Sequence, residues 1–166
     1  MMYQLPINRP PRRRYCIGID PDKTESGFAV WDRQDRKWLR HEGLEFWALQ
    51  MACFEYPQAE TEVFVEAGWH NQGMHRSKKD SLPKGFETWK AESREGYMWQ
   101  RGADTGVNFG AGHAIIAVLR ANHYLVKEYT PTSAKWDAEL LRQITGIKAR
   151  TNQDVRDAIR AAYMNR

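Results

Sequence analysis

Two short apolar runs, each closed by a carboxylate, set the frame within which this chain can fold. Cys16-Ile17-Gly18-Ile19-Asp20 and Val63-Phe64-Val65-Glu66 are too short and too continuous for amphipathic helices and read as buried strands. Asp20 and Glu66 stand at their polar ends. A third acidic place follows near the end of the chain, where Asp154 and Asp157 are three apart and therefore share one helix face. Strand ends and a helix face can carry four carboxylates to one point. Clustered anions repel one another unless a cation lies between them, and divalent metal is the usual solution.

At 166 residues the chain suits one domain with a substantial core, and 42% hydrophobic residues predict a packed globule rather than disorder. The formal charge is +4 and the sequence pI about 9.1, mildly basic and compatible with nucleic acid. Cys16 and Cys53 lie among apolar neighbours and read as buried free thiols of a reducing compartment, not as a disulfide framework. No apolar stretch approaches the roughly 20 residues of a membrane span, nor does a secretory-type apolar region follow Arg12–Arg14. A soluble, cytoplasmic protein with no membrane partner is expected.

Periodicity predicts a meander of three strands over Tyr15–Asp20, Gly27–Asp32 and Lys37–His41, preceded by a flexible basic arm over residues 1–14. A helix over Glu45–Tyr56, ended by Pro57, leads to the strand Glu62–Glu66. From Trp69 to about Gly106 the pattern dissolves into basic and aromatic residues, with a short helix over Glu87–Met98. Regularity returns with a buried helix at Phe109–Ala121 and a fifth strand at Tyr124–Tyr129. Two further helices follow, Ser133–Ile144, capped by Gly146, and Asn152 to Tyr163. This order predicts an α/β fold, a mixed five-stranded sheet flanked by helices, of the ribonuclease H-like kind, within residues 15–166 and with 69–106 as an insertion.

Hydrolysis of a phosphodiester needs an activated water and a stabilised leaving oxygen, which two divalent ions can supply. Mg²⁺ takes hard oxygen ligands and keeps several waters, so three or four carboxylates suffice. Asp20 is the natural bridging ligand, Glu66 completes one ion, and Asp154 and Asp157 the other. Each has a plainer reading too. Asp20 before Pro21 fits a turn, and Glu66 a solvent-facing strand end. Asp154 fits the acidic position of a capping box begun by Thr151, and Asp157 fits a first-turn anion.

The chain resembles the RuvC-type Holliday-junction resolvases of the ribonuclease H-like superfamily. The resemblance is carried by Ile17-Gly18-Ile19-Asp20-Pro21 with Gly27 and Val30, by Val65-Glu66, and by Gly110–Leu119. It continues through Tyr129-Thr130-Pro131-Thr132 with Lys135 and ends in Asp154-Val155-Arg156-Asp157-Ala158. It spans most of the chain from Tyr15 onward. The resemblance implies catalytic and metal-binding roles for Asp20, Glu66, Asp154 and Asp157, a homodimer, and paired nicks in a four-way DNA junction. Two departures stand out. Asp22 replaces the usual Gly after the Pro and is read as a turn residue, and the Trp69–Gly106 stretch is longer than its family counterpart, as in variants from phage or mobile elements.

Basic residues interleaved with aromatics fit a groove that follows phosphates while rings stack on exposed bases. Arg76, Lys78, Lys79, Lys84 and Lys90 are the phosphate candidates, and Trp69, Phe86 and Trp89 the candidates for opening a branched DNA. The competing reading is a solvated segment whose charges cancel around a small aromatic subcore. Lys135 is a candidate for the scissile phosphate, and Lys148 and Arg150 for flanking phosphates, or all three are plain surface cations. His70, His75 and His113 lack the spacing of a zinc site. Two other functions stay open: a nuclease acting on RNA–DNA hybrid or flap, and a branched-DNA binding module without catalysis.

Overall fold

The computed structural model describes residues 12–71, 82–132 and 134–166. Five strands, β1 (Tyr15–Asp20), β2 (Ser26–Asp32), β3 (Lys37–Leu44), β4 (Thr61–Glu66) and β5 (Leu125–Tyr129), form one sheet in the order β3-β2-β1-β4-β5. The first three make the expected antiparallel meander. β1, β4 and β5 run parallel, with Ile17 opposite Val63 and Val63 opposite Val126. This register sets Asp20, Glu66 and Tyr129 at the same end of three adjacent parallel strands. Carboxyl ends of parallel strands are where open α/β sheets place their sites.

Strand alternation divides the core. Ile17, Ile19, Val63, Val65 and Val126 pack on one face against α1 (Phe46–Phe54) and α2 (Ala91–Ala121) through Leu49, Cys53, Ile115 and Leu119. Cys16, Ala29 and Phe64 serve the opposite face, covered by α4 (Gln153–Met164) with Val155, Ala158, Ile159 and Ala162. α3 (Ala138–Thr145) adds Leu141 to that side. Asp20 and Glu66 have the parity of Cys16 and Phe64, so both point toward α4.

Two glycines let α4 lie against the sheet backbone. A Cβ on Gly18 would come within 2.1 Å of the Ala158 carbonyl oxygen, and one on Gly27 within 2.0 Å of the Asp154 carbonyl oxygen. No side chain fits at either contact, so the helix carrying Asp154 and Asp157 rests directly on the strands beside Asp20.

Three elements differ from the expectation. The helices foreseen at Glu87–Met98 and Phe109–Ala121 are one continuous α2 of 31 residues, roughly 46 Å long, whose buried residues start only at Gly112. Its first two-thirds lack a continuous apolar stripe, and for that reason periodicity broke there. α3 begins at Ala138 rather than Ser133, because Asp137 caps it by accepting from the Leu140 amide at 2.8 Å. Gly146 closes it in the left-handed region at φ +76, as foreseen. α4 is capped by Asn152, whose Oδ1 accepts from the Val155 amide at 2.9 Å, and not by Thr151. That shift takes Asp154 out of the capping-box position.

Residues 12–14, foreseen as the end of a basic arm, engage the fold. Arg13 donates to the Thr61 carbonyl at 3.0 Å, and Arg14 pairs with buried Asp32 at 2.8 Å.

Candidate active site

Asp20 ends β1, Glu66 ends β4, and Asp157 lies one turn inside α4. Their carboxylate oxygens, one from each residue, all fall within 4.8 Å of one another. Glu66 and Asp157 are deeply set, with side chains 10% and 1% exposed. Three hard oxygen donors at this spacing could hold a metal ion.

Hydrogen bonds fix how these groups point. The Tyr129 hydroxyl donates to Glu66 Oε2 at 3.0 Å, and Gln153 Nε2 donates to Asp157 Oδ1 at 3.0 Å. Neither residue was given a site role from the sequence. Tyr129 carried a signal, since it ends a strand parallel to those of Asp20 and Glu66. Gln153 carried none, because an amide in the first turn of a helix is commonplace. Lys135, from the segment between β5 and α3, hydrogen-bonds Asp157 Oδ2 and stands 3.7 Å from Glu66 Oε1. Its ammonium therefore reaches the carboxylates from an exposed position.

The electrostatics follow from crowding. Burial raises the Asp20 carboxyl well above its ordinary range, and the charges of Glu66 and Asp157 add to it. Burial also raises Glu66, with Lys135 opposing and Asp157 reinforcing. Tyr129 is pushed well up by burial and by the charges of Glu66 and Asp20, so it stays a neutral hydrogen-bond donor. Burial alone would lower Lys135, yet its hydrogen bond with Asp157 and the charges of Glu66, Asp157 and Asp20 leave it raised and firmly cationic.

Asp154 lies outside the group of three. It is half-buried in the first turn of α4 and raised by burial first, then by the charge of Asp22 and next by that of Asp157. Asp22 behaves as the turn residue it was taken for. Its Oδ1 accepts from the Thr24 amide at 2.9 Å and its Oδ2 from Asn108 of α2 at 3.2 Å. Asn108 also accepts from the Lys23 amide at 3.0 Å, so α2 grips the turn that follows Asp20.

The DNA-contact candidates scatter. Arg76, Lys78 and Lys79, with His75, lie outside the described residues. Lys84, Lys90, Lys148 and Arg150 are exposed. Phe86, Trp89 and Tyr97 form the small aromatic subcore, with ring centroids 5.4 to 5.7 Å apart. Trp69 is engaged beside the site. Its ring lies 4.2 Å from that of His113, its Nε1 donates to Glu128 at 3.2 Å, and Gly112 leaves room for it where a Cβ would come within 2.5 Å.

Strand order, parallel pairing and the acidic strand ends define the class: a ribonuclease H-like fold of the RuvC kind, with an acidic triad consistent with a metal-dependent nuclease. Known structures share this fold. The chain is similar to T. thermophilus RuvC in complex with a Holliday junction substrate, at a TM-score of 0.54 and 18% identity over 89% of each chain. It is likewise similar to a further Thermus thermophilus RuvC structure, at 0.52 and 18%, over 89% of this chain and 90% of that one. No protein-family model matches the sequence, and no curated protein matches it. Among the described residues no helix is long and apolar enough to cross a membrane.

Proposed function

We propose that this protein is a metal-dependent endodeoxyribonuclease that resolves four-way DNA junctions by paired nicks. The observation that carries the reading is the convergence of Asp20, Glu66 and Asp157 within 4.8 Å at the carboxyl ends of parallel strands. Three carboxylates set this close, one of them buried, raise the cost of folding, which supports a use for their charge. Asp20, Glu66 and Asp157 would hold one divalent ion, and Asp154 with Asp20 a second. When bound, such ions polarise a phosphoryl oxygen and lower the pKa of the attacking water. The chain's own groups prepare the site. Tyr129 and Gln153 fix the rotamers of Glu66 and Asp157, and burial on the sheet excludes bulk water from their inner faces.

Likeness to a RuvC bound to a junction supports branched DNA as substrate. Paired nicks need two such sites, so the active form is a homodimer. Exposed Lys84, Lys90, Lys148 and Arg150, together with Arg76, Lys78 and Lys79, are the phosphate contacts in this reading. Phe86, Trp89 and Trp69 supply the aromatic surface near the branch.

The test uses labelled four-way junction, matched duplex and RNA–DNA hybrid, each with Mg²⁺ or EDTA, beside Asp157→Asn. Symmetric nicks confined to the junction are expected, lost in EDTA and reduced at least about 10²-fold in Asp157→Asn while junction binding persists. Cutting of hybrid or flap in place of the junction would overturn the substrate. Tight junction binding with no cutting in Mg²⁺ or Mn²⁺ would overturn catalysis itself.

A further inference from the structure

Three carboxylates within a few ångströms repel one another, and the chain sets a positive charge among them from within. Lys135 places its ammonium in hydrogen-bond contact with Asp157 Oδ2 and 3.7 Å from Glu66 Oε1. Tyr129 and Gln153 orient the same two carboxylates but bring no charge. We propose that Lys135 is the built-in counter-ion of this site, and that a divalent cation enters by displacing the ammonium from Asp157 and Glu66. The inference rests on the metal-site reading above.

Three features make Lys135 an exchangeable cation and not a permanent partner. Its side chain is 44% exposed whereas that of Asp157 is 1% exposed, so the lysine can leave without opening the core. It belongs to the segment between β5 and α3, outside helix and strand, where rotation of a long stem disturbs no ladder or helix bond. The oxygens it faces belong to Glu66 and Asp157, which are members of the group a divalent ion would need. An ammonium and a divalent ion within the same few ångströms repel, so occupancy by one opposes occupancy by the other.

This exchange has a signature that structural support lacks. If Lys135 merely propped the site, its removal would weaken metal binding. As a competing cation, its removal strengthens metal binding while making the metal-free protein less stable. The expected gain is about tenfold or more in affinity, the size of one charge-assisted hydrogen bond given up on metal entry.

The experiment needs no DNA. Mn²⁺ is titrated into wild type, Lys135→Gln and Lys135→Arg, and free Mn²⁺ is read by its paramagnetic resonance. Melting is followed in EDTA and at saturating Mn²⁺. Lys135→Gln should bind Mn²⁺ about tenfold more tightly and melt lower in EDTA, recovering with Mn²⁺. Lys135→Arg, which keeps the charge, should stay close to wild type. Equal or weaker binding by Lys135→Gln overturns the counter-ion role alone. No Mn²⁺ binding by either wild type or Lys135→Gln overturns the metal site with it. Should Lys135→Gln fail to fold, the wild-type protein decides by ¹⁵N resonance of the Lys135 ammonium. That signal should be protected in EDTA and lost on adding Mg²⁺, and its persistence at saturating Mg²⁺ would overturn the proposal.

Discussion

Glu62 and Glu66 lie on one strand and one face, four residues apart, yet their surroundings give them opposite tasks. Glu62 is 6% exposed and doubly paired, to Arg33 at 2.7 Å and Lys127 at 2.9 Å. Burial would raise its carboxyl, but the hydrogen bonds from Lys127 and Arg33 outweigh that and hold it below the ordinary range. Glu66 meets other carboxylates and is raised. The first is a fastener and the second a member of the acidic group. Glu62→Gln should therefore cost about 1.5–3 kcal/mol at pH 7, measured by urea unfolding in EDTA. The folded-state carboxyl lies below its unfolded value. The stability from Glu62 is thus fully present above the unfolded pKa of about 4.3 and lost as the pH falls through the folded value. The gap between wild type and Glu62→Gln should close below about pH 4, and a gap that widened there would show that the pair does not hold Glu62 charged. Nothing local in Thr61-Glu62-Val63-Phe64-Val65-Glu66 distinguishes the two acids. The choice was made by Arg33, Lys127 and Asp157, all distant in sequence.

Elements meet the site through backbone contact, and Gly27 shows it best. Its missing side chain admits the Asp154 carbonyl, while Gly18 admits Ala158 a turn further along α4. Gly27→Ala and Gly18→Ala should each lower stability by about 1–3 kcal/mol, because helix backbone and not a flexible side chain must move. Gly18→Ala pushes on Ala158, next to Asp157, and Gly27→Ala on Asp154 itself, so Mn²⁺ affinity should fall in both in the same titration. Unchanged affinity in both would mean that the seat of α4 does not set the acidic group. The strands and α4 were legible in the sequence because their apolar periods are strong. The long α2 was not, since its first two-thirds bury no residue and leave no stripe to read. The start of α3 was missed for another reason. Trp136 is buried and its carbonyl accepts from Arg156 at 3.0 Å, so contacts with α4 hold residues 134–137 out of the helix.

At the scale of the whole molecule, the proposed metal site would link folding to metal. A ligand bound by the native state alone stabilises by RT ln(1 + [L]/Kd), about 2.7 kcal/mol at a hundredfold excess over Kd. For a chain of 166 residues this corresponds to a rise of roughly 5–10 °C in Tm with Mg²⁺ or Mn²⁺. The rise should vanish in Asp157→Asn, and Ca²⁺-free, Mg²⁺-free controls in EDTA set the baseline. A similar rise in Asp157→Asn would place the metal elsewhere. What the sequence determined by itself was the five strands, the final helix and the four acidic candidates, because apolar runs and helical spacing are local properties. What only the tertiary structure decided was who stands among those acids. Asp20, Glu66 and Asp157 close into a group, Asp154 stands beside it, Gln153 joins from four residues back on α4, and Tyr129 and Lys135 join from the end of β5 and the segment after it. Partners of a buried charge are chosen by proximity in the folded chain, and proximity has no period.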